Sequence, residues 1–309
     1  MNTKTLLYLL KRTLLAILTV WIVITITFFV SRAVPGGPFA SEKAITDAAK
    51  HALEEKYGLD KPLPMQYLTY LKDIVFHFDF GPSLKNRGRD VIDVIGDGLK
   101  TSVMLGVSAA AIALVVGVVL GAVAALQRNK PLDRAVMVVT TAFISMPSFI
   151  MGTLLLILFA VVLGIVPANG ASKGGLILPI ITLSLSPMAN ITRLTRSSML
   201  DVLGQDYIRT AKAKGVSGLK IIFGHALKNA LIPVITYCGP MLAYIVTGSL
   251  VVEQIFAVPG IGSTFVSSIT DRDYPMIMGT TILLASLIVI MNMISDMLYK
   301  VVDPRINLK

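Results

Sequence analysis

Long apolar runs separated by short polar segments make up most of this 309-residue chain. Six stretches contain no charged residue, and each is near or above the roughly 20 residues that a helix needs to cross about 30 Å of hydrocarbon. They are Thr13–Ser31, Thr101–Gln127, Ala135–Ser172, Gly174–Thr192, Asn229–Val252 and Tyr274–Ser295. The pattern predicts an all-α integral membrane protein with six transmembrane helices.

Two of these stretches depart from a simple span. The third is 38 residues long, and its tail over residues 167–175 has the composition of a loop, so one helix and a turn account for it. The first follows Lys11 and Arg12, as the apolar part of a signal peptide would. It exceeds the roughly 7–15 residues of such a part, and Arg32 stands where a small-residue cleavage site is expected. We therefore expect a retained helix.

Composition supports a membrane protein and excludes several other classes. The chain is 54% hydrophobic and only 15% charged, against about 25% charged residues in soluble domains. The single cysteine, Cys238, allows no internal disulfide, and the three histidines lack metal-site spacing. We expect no catalytic residue, no metal and no cofactor in this chain.

The net charge of +10 is informative through its placement. With the N-terminus in the cytoplasm, the inner segments carry 16 Lys and Arg against five acids. The long outer segment is neutral and the short outer loops sum to −1. This asymmetry follows the positive-inside rule, so both termini are expected in the cytoplasm. The basic pI then reflects topology and gives no reason to expect nucleic-acid binding.

One membrane domain over residues 1–309 is expected, with two polar segments within it. An extracytoplasmic insertion covers residues 32–100 and could fold over the outer mouth of the bundle. Its periodicity predicts helices divided by Gly- and Pro-containing turns, over Ser41–Lys56, Met65–Phe78 and Asp90–Lys100. A cytoplasmic loop covers residues 198–228.

The cytoplasmic loop predicts two short helices joined at a glycine. Asp206 suits the positive end of the first helix, Gly215 is a natural left-handed cap, and Ser217 can cap the second helix. The second helix has an apolar stripe that predicts a position in the membrane interface, formed by Leu219, Ile222, Phe223, Ala226, Leu227 and Ala230. One face of the first helix contains small residues and therefore allows another surface to approach closely. This face comprises Tyr207, Thr210, Ala211 and Lys214.

A docking element and a loop that merely orients the protein are the two interpretations. Orientation needs only a few cations, whereas this segment has two capped helices at a defined spacing, so we favour docking.

The loop resembles the cytoplasmic EAA loop of binding-protein-dependent ABC importer permeases. The broad E-A-A-x-x-x-G pattern is met only at Ala211 and Gly215, but the peptide-importer version, Y-x-R-T-A-x-A-K-G and then H-A-L-x-x-A-L-x-P, matches closely. Other segments are similar to the B-type subunit of oligopeptide importers, in the expected order: Pro35–Pro38, Asp79–Ser83, Glu253–Phe256, Pro259–Gly262, Arg272–Tyr274 and Asp303–Arg305.

The resemblance implies a type I ABC importer permease in the bacterial inner membrane. Its expected partners are a related C-type permease, two ATP-binding subunits that hold ATP and Mg, an extracytoplasmic peptide-binding protein and membrane lipid. The ATPase-docking helix would be Tyr207, Ile208, Arg209, Thr210, Ala211, Lys212, Ala213, Lys214 and Gly215. The loop anchor would be His225, Ala226, Leu227, Ala230 and Pro233.

Cargo remains open at this stage. Gly37 stands where dipeptide and nickel permeases carry Asp, which favours oligopeptides over dipeptides, nickel complexes or glutathione. Polar residues in the apolar stretches are candidates for a translocation path, with bonding between helices as the alternative for each: Ser145, Ser148, Asn190, Thr236, Thr247 and Asn292. An outer gate or binding-protein contact and a tight re-entrant turn are equally supported for Glu253, Pro259, Gly260 and Gly262.

A stand-alone ion-coupled carrier or channel and a membrane scaffold are the competing classes. The sequence has no G-x-x-x-x-G-K-[ST] motif, so an ATP-driven pump would draw energy from a partner. An ion-coupled carrier more often has acids deep in its spans. The candidate, Asp296, lies near the inner boundary one turn from Lys300, a spacing that suits a helical salt bridge.

Overall fold

The computed structural model describes residues 3–34, 38, 51, 54–55, 57–86, 88–246 and 250–302. Several predictions fall outside them: the turn Pro35–Gly37, the helix Ser41–Lys56 apart from isolated positions, Thr247, and the segment Asp303–Arg305. The side chains of Asp296 and Lys300 are also outside the description.

The described residues are nearly all helical. The helices are α1 Thr3–Ala33, α2 Leu63–Lys72, α3 Val91–Leu126, α4 Pro131–Ser145, α5 Ser148–Leu155, α6 Ile177–Leu203, α7 Asp206–Ala213, α8 Gly218–Ala230, α9 Ile232–Val246, α10 Leu250–Ile255, α11 Ile261–Asp271 and α12 Tyr274–Val302. Wider π-helical turns continue α2 over Asp73–His77, continue α5 over Leu156–Val162 and occupy Ile221–Leu227 within α8. A single antiparallel bridge, between Pro82 and Asp90, is the only strand-like pairing in the described part of the chain.

Four of these helices are long and apolar enough to cross a membrane: α1, α3, α6 and α12. They occupy the first, second, fourth and sixth predicted stretches. Two bent pairs, α4 with α5 and α8 with α9, bring the number to six if each pair is one span. The first pair lies in the third predicted stretch, and α9 of the second pair lies in the fifth. The all-α membrane fold is therefore confirmed.

The prediction of one continuous helix in the third stretch is wrong. Helices α4 and α5 meet at an angle of 108°. The break lies at Met146, whose backbone is extended (φ −87°, ψ 128°), and at Pro147. Proline lacks an N–H and drives the preceding residue out of helical geometry, which explains the position of the bend. The predicted loop over residues 167–175 is confirmed as turns.

The centre of the bundle is the contact between α3 and α6, which is the most extensive helix–helix contact in the described structure. A stripe of buried small residues on α3 allows the two backbones to approach closely, and includes Gly106, Ala109, Ala113, Gly117, Gly121 and Ala124. A Cβ atom on Gly121 would lie only 2.6 Å from Thr192 O and from Thr195 Cβ. Glycine at this position is therefore required by packing.

Helix α2 of the insertion lies beside the membrane helices. Its Tyr67 hydroxyl hydrogen bonds with the Thr25 hydroxyl of α1 (2.7 Å), and Ile74 packs against Phe28 of α1 and Met278 of α12. Thr25 is eight residues before the end of α1 at Ala33, or about 12 Å along its axis. The insertion thus reaches down the side of α1.

The inward face of α2 shifts at its π-turn. Tyr67 and Leu71 face the α1–α12 cluster, whereas Leu68 and Val75 are exposed. The helix widens into its π-turn after Lys72, which brings Ile74 inward. A period of 3.6 residues no longer holds there.

The insertion is also tied to the turn between α11 and α12. The Ser83 hydroxyl donates to Asp273 Oδ2 (2.5 Å), and the Lys85 N–H donates to the same oxygen (3.2 Å). Asp273 is buried, and its other oxygen accepts from the Met276 N–H at the start of α12 (3.2 Å). Two motifs 190 residues apart in sequence therefore form one junction.

Candidate coupling loop

The predicted helix–glycine–helix is present between α6 and α9. Helix α7 ends at Ala213, and Gly215 follows in the left-handed conformation (φ +74°). The Gly215 N–H donates to Lys212 O (3.0 Å) and the Val216 N–H to Ala211 O (3.2 Å). This pair of bonds is a Schellman motif, in which glycine closes a helix and reverses the chain. Ser217 occupies the next N-cap position but makes no side-chain cap bond.

Helix α7 is anchored to its own chain through one side. Ile208 is fully buried in a cluster with Met199 of α6, Ala125 of α3 and Ile221 of α8. Ala211, which we predicted to lie on the docking face, is half-buried against this cluster. The inner side of the helix therefore fixes the loop to the membrane domain.

The opposite side of α7 is open. Its exposed residues are Tyr207, Arg209, Thr210, Lys212, Ala213 and Lys214. The Tyr207 hydroxyl accepts a hydrogen bond from Asn229 Nδ2 in α8 (2.9 Å), which braces the two helices against each other. A rigid helix with a basic, small-residue outer side is thus held below the bundle.

The apolar residues of α8 divide between the cluster below the bundle and the exposed surface. Ile221 and Ala226 are buried in the cluster, whereas Leu219 and Phe223 are 71% and 65% exposed. The π-turn Ile221–Leu227 is the cause, because its wider repeat places residues five apart on one side. The predicted position of α8 in the membrane interface stays a prediction.

The predicted loop anchors take different positions. Ala226 and Ala230 are buried, His225 and Leu227 are half-buried, and Pro233 is exposed in the first turn of α9. The alanines supply the close contact with α6 and α3 that the anchor requires.

A buried ion pair joins α4 to α6 beside the coupling loop. Arg196 Nε and Nη2 donate to the two carboxylate oxygens of Asp133 (2.5 and 2.7 Å), and the Asn129 N–H adds a third bond (2.9 Å). The Asp133 side chain is 3% exposed. Bidentate pairing of this kind is both strong and directional. The sequence analysis did not predict this pair, because its two residues are 63 positions apart and no local pattern links them.

A cavity of about 340 Å³ lies at the bend between α4 and α5. Its walls come from the break itself, from α6 and from α9, and comprise Met146, Ser148, Thr182, Leu183, Ser186, Pro187, Tyr237, Pro240, Met241 and Tyr244. Pro147 lies at the break beside this wall, whereas Pro187 and Pro240 lie inside α6 and α9. The arrangement is a mainly apolar space within the membrane domain, into which a few hydroxyl-bearing side chains project.

Only one of the predicted path residues that the structure describes, Ser148, lines this cavity. Asn190 bonds back to Ser186 O (3.0 Å), and Thr236 bonds to Ile232 O within its own helix (3.0 Å). Ser145 and Asn292 are exposed. The structure does not bring these residues together, so a path formed by all of them stays a prediction.

The predicted outer-gate residues form a tight turn between α10 and α11. The buried Glu253 carboxylate accepts from Ser102 Oγ of α3 (2.7 Å) and from the Gly262 and Ser263 N–H groups (2.8 and 3.1 Å). Gly260 is buried against this carboxylate, where a Cβ would clash. Pro259 is exposed. In this conformation the geometry is that of the re-entrant turn, because Glu253 bonds within the chain.

These features define a class of protein: an integral membrane protein whose helices line an internal cavity and whose helical loop between α6 and α9 is held firmly to them. The chain belongs to the family of binding-protein-dependent transport system inner membrane components, whose description matches residues 117–308. The N-terminal component of the same family matches residues 5–105.

Several relatives match almost the whole chain. The dipeptide transport system permease protein DppB of Bacillus subtilis is 49% identical over 302 residues, which cover 97% of this chain and 98% of that protein. The oligopeptide permeases OppB of Salmonella typhimurium and Haemophilus influenzae are 43% and 42% identical, each with coverage of 97% of this chain and 98% of the relative.

A solved structure shows the same fold. An inward-facing conformation of the MetNI methionine ABC transporter aligns with a TM-score of 0.55 at 18% identity, over 69% of this chain and 97% of the matched chain. The identities to the dipeptide and oligopeptide permeases confirm the sequence-based resemblance to the peptide-importer permeases.

Proposed function

We propose that this chain is a transmembrane permease subunit of an ATP-driven peptide importer, forming half of the translocation pathway. The carrying observation is the 49% identity to a dipeptide permease over 97% of the chain. The coupling loop held rigidly beneath the bundle supports it. The chain is a transport subunit and not an enzyme.

Peptides are the proposed cargo class. Relatives named for dipeptide and for oligopeptide transport both match the full chain. Our sequence-based preference for oligopeptides rests on Gly37 alone, outside the described residues, so dipeptides fit equally well. Nickel complexes and glutathione are the remaining alternatives.

The proposed partners follow from the family. A C-type permease supplies the other half of the pathway, two ATPase subunits bind ATP and Mg on the cytoplasmic side, and a binding protein delivers peptide outside. The subunit is a multi-pass protein of the inner membrane, and we place both termini in the cytoplasm on the charge distribution.

The coupling mechanism uses the outer side of α7. When ATP closes the ATPase subunits, a groove carrying α7 moves as a rigid body. Ile208 transmits this movement to α6 and α3, against which it packs. The Asp133–Arg196 pair then carries it from α6 to α4. The cavity at the α4–α5 bend is then exposed to one side of the membrane or the other.

Gly215→Asp tests the docking claim, with Gly218→Asp as the matched control. Gly215 has φ +74° and no neighbour within 4 Å of a Cβ position, whereas Gly218 has equal space without a positive φ. We expect Gly215→Asp to insert in the membrane but lose co-purification with the ATPase subunits and lose uptake. Normal assembly and uptake in that variant would refute docking through α7.

Reporter fusions test the topology. A reporter placed after Lys309 should be cytoplasmic, and one placed near Lys61 should be outside, since the inner segments hold the positive excess. Opposite labelling would overturn the orientation. In vesicles, peptide transport by the single chain without ATP would instead favour the stand-alone carrier.

A further inference from the structure

A second cavity, of about 350 Å³, lies at the extracytoplasmic side, away from the α4–α5 bend. We call it the outer cavity. The end of α1, helix α2, the loop after it and the start of α12 enclose it, through residues that include Arg32, Gln66, Tyr70, Phe80, Tyr274 and Met278. Neither the coupling loop nor the proposed pathway uses it.

Arg32 is partly buried in this wall without an acidic partner. Its guanidinium stacks on the Phe28 ring (3.6 Å from Cζ to the centroid), and it donates to Gln66 Oε1 (3.0 Å) and Phe28 O (3.4 Å). Among the described residues no carboxylate lies within ion-pair distance of it. A guanidinium has five N–H donors, so three remain for another group.

The Arg32 side chain is held in place by the insertion. Gln66, which accepts from Arg32, donates in turn to Leu59 O (3.1 Å) and Lys61 O (2.7 Å). The guanidinium is therefore fixed in direction, as a binding group should be.

Tyr70 supplies a second unused polar group. Its hydroxyl oxygen is buried in the cavity wall and has no hydrogen-bond partner among the described residues. Burial raises the pKa of Tyr70 above its usual value, so the hydroxyl is protonated and is a donor at neutral pH. Buried polar groups nearly always have partners, so this hydroxyl is available as a donor to a group that enters the cavity.

Both signs of charge line the cavity. Beside Arg32 and Lys61 lie three acids, Glu55, Asp73 and Asp79. A ligand that carries one anionic and one cationic end would complement such a wall better than a simple anion. The volume is at the lower end of the roughly 300–1,000 Å³ of ligand pockets, which suits a small molecule.

We propose that the outer cavity binds a small zwitterion through its oxyanion, which accepts hydrogen bonds from the free N–H groups of Arg32 and from the Tyr70 hydroxyl. The cationic end faces the three acids. The oxyanion is a carboxylate if the ligand is a short peptide, and a phosphate if it is an ethanolamine lipid headgroup. This inference is independent of the proposed transport function.

The test uses the assembled importer complex and two probes. In phosphatidylcholine nanodiscs, binding of radiolabelled dialanine is measured at equilibrium. Separately, complex purified from vesicles of phosphatidylcholine and phosphatidylethanolamine is examined by native mass spectrometry for retained phosphatidylethanolamine. The variants are Arg32→Gln and Tyr70→Phe.

Matched controls come from the same insertion. Tyr67→Phe changes a tyrosine of α2 whose hydroxyl already bonds Thr25. Arg89→Gln changes an exposed arginine paired with Asp97 (2.7 Å). Tyr70→Phe removes one unpartnered oxygen, so it should fold normally even if Arg32→Gln does not.

We expect one probe to lose at least tenfold in affinity or occupancy in Arg32→Gln and at least threefold in Tyr70→Phe, with both controls within twofold of the unmodified complex. If dialanine affinity falls in the two variants, the bound oxyanion is a peptide carboxylate. If the amount of retained phosphatidylethanolamine falls, the oxyanion is a headgroup phosphate. If both probes stay within twofold in Tyr70→Phe, the proposal is overturned. ATP-driven uptake is measured in parallel, so a failure of the transport function is seen separately.

Discussion

Ile208 attaches the coupling helix α7 to the membrane helices, and the free energy that this contact contributes can be estimated from its burial. The side chain is fully buried. Ile208→Ala removes three carbon atoms, worth about 0.8 kcal/mol each, and the cavity left behind brings typical Ile→Ala costs to about 2–5 kcal/mol. A value of about 3 kcal/mol corresponds to a roughly hundredfold rise in the population of molecules in which α7 is detached from α6 and α3, since each 1.4 kcal/mol is tenfold.

Hydrogen exchange over Asp206–Gly215 measures this population directly. Where closing is faster than exchange, amides of α7 should lose about a hundredfold in protection in Ile208→Ala and roughly fivefold in Ile208→Val, which costs about 1 kcal/mol. The exposed Thr210→Ala on the same helix should change protection by less than about twofold.

The functional consequence distinguishes the two sides of α7. An α7 helix that is detached from α6 and α3 can still bind an ATPase groove but no longer moves those two helices. ATPase association should therefore survive while ATP-driven uptake falls. Unchanged protection in Ile208→Ala would refute the anchoring of α7 through its inner side.

Two further predictions concern the membrane helices. Arg196→Gln leaves the Asp133 carboxylate buried without its cation and should lower the free energy of unfolding by about 3 kcal/mol, measured by denaturation in mixed micelles. The double variant with Asp133→Asn should cost clearly less than the sum of the two single changes. Additive costs would contradict the pair. Gly121→Ala should lower the melting temperature of the complex, because overpacking costs about 1–3 kcal/mol, while Gly96→Ala, with nothing within 4 Å on the same helix, should not. Equal effects of the two alanines would show that α3 and α6 are not in close contact.

Local signals in the sequence were sufficient for several elements. The apolar runs fixed the class and the approximate position of each membrane helix, because crossing hydrocarbon demands length and apolarity whatever the neighbours are. The end of α7 was predictable from Gly215, since the left-handed turn that closes a helix strongly favours glycine. The loop at residues 167–175 followed in the same way from its small and polar residues.

Other features depended on where distant parts of the chain meet. The pairing of Asp133 with Arg196 and of Ser83 with Asp273 joins residues far apart in sequence, and neither partner has a local pattern that selects the other. Arg32 and Tyr70 likewise became a candidate site only when α2 was placed beside α1. Such pairs are decided by packing between helices.

The difference is clearest in the two helix distortions. Pro147 gives the α4–α5 break a local cause, but the 108° angle depends on how α5 packs against α6 and α10. In α8 the sequence determined that an apolar helix follows Gly215, and tertiary structure decided which apolar residues are buried. The π-turn places Ile221 on the same side as Ala226, five residues later, so Ile221 is buried in the shared cluster with Ile208 and Met199 while Leu219 and Phe223 stay exposed.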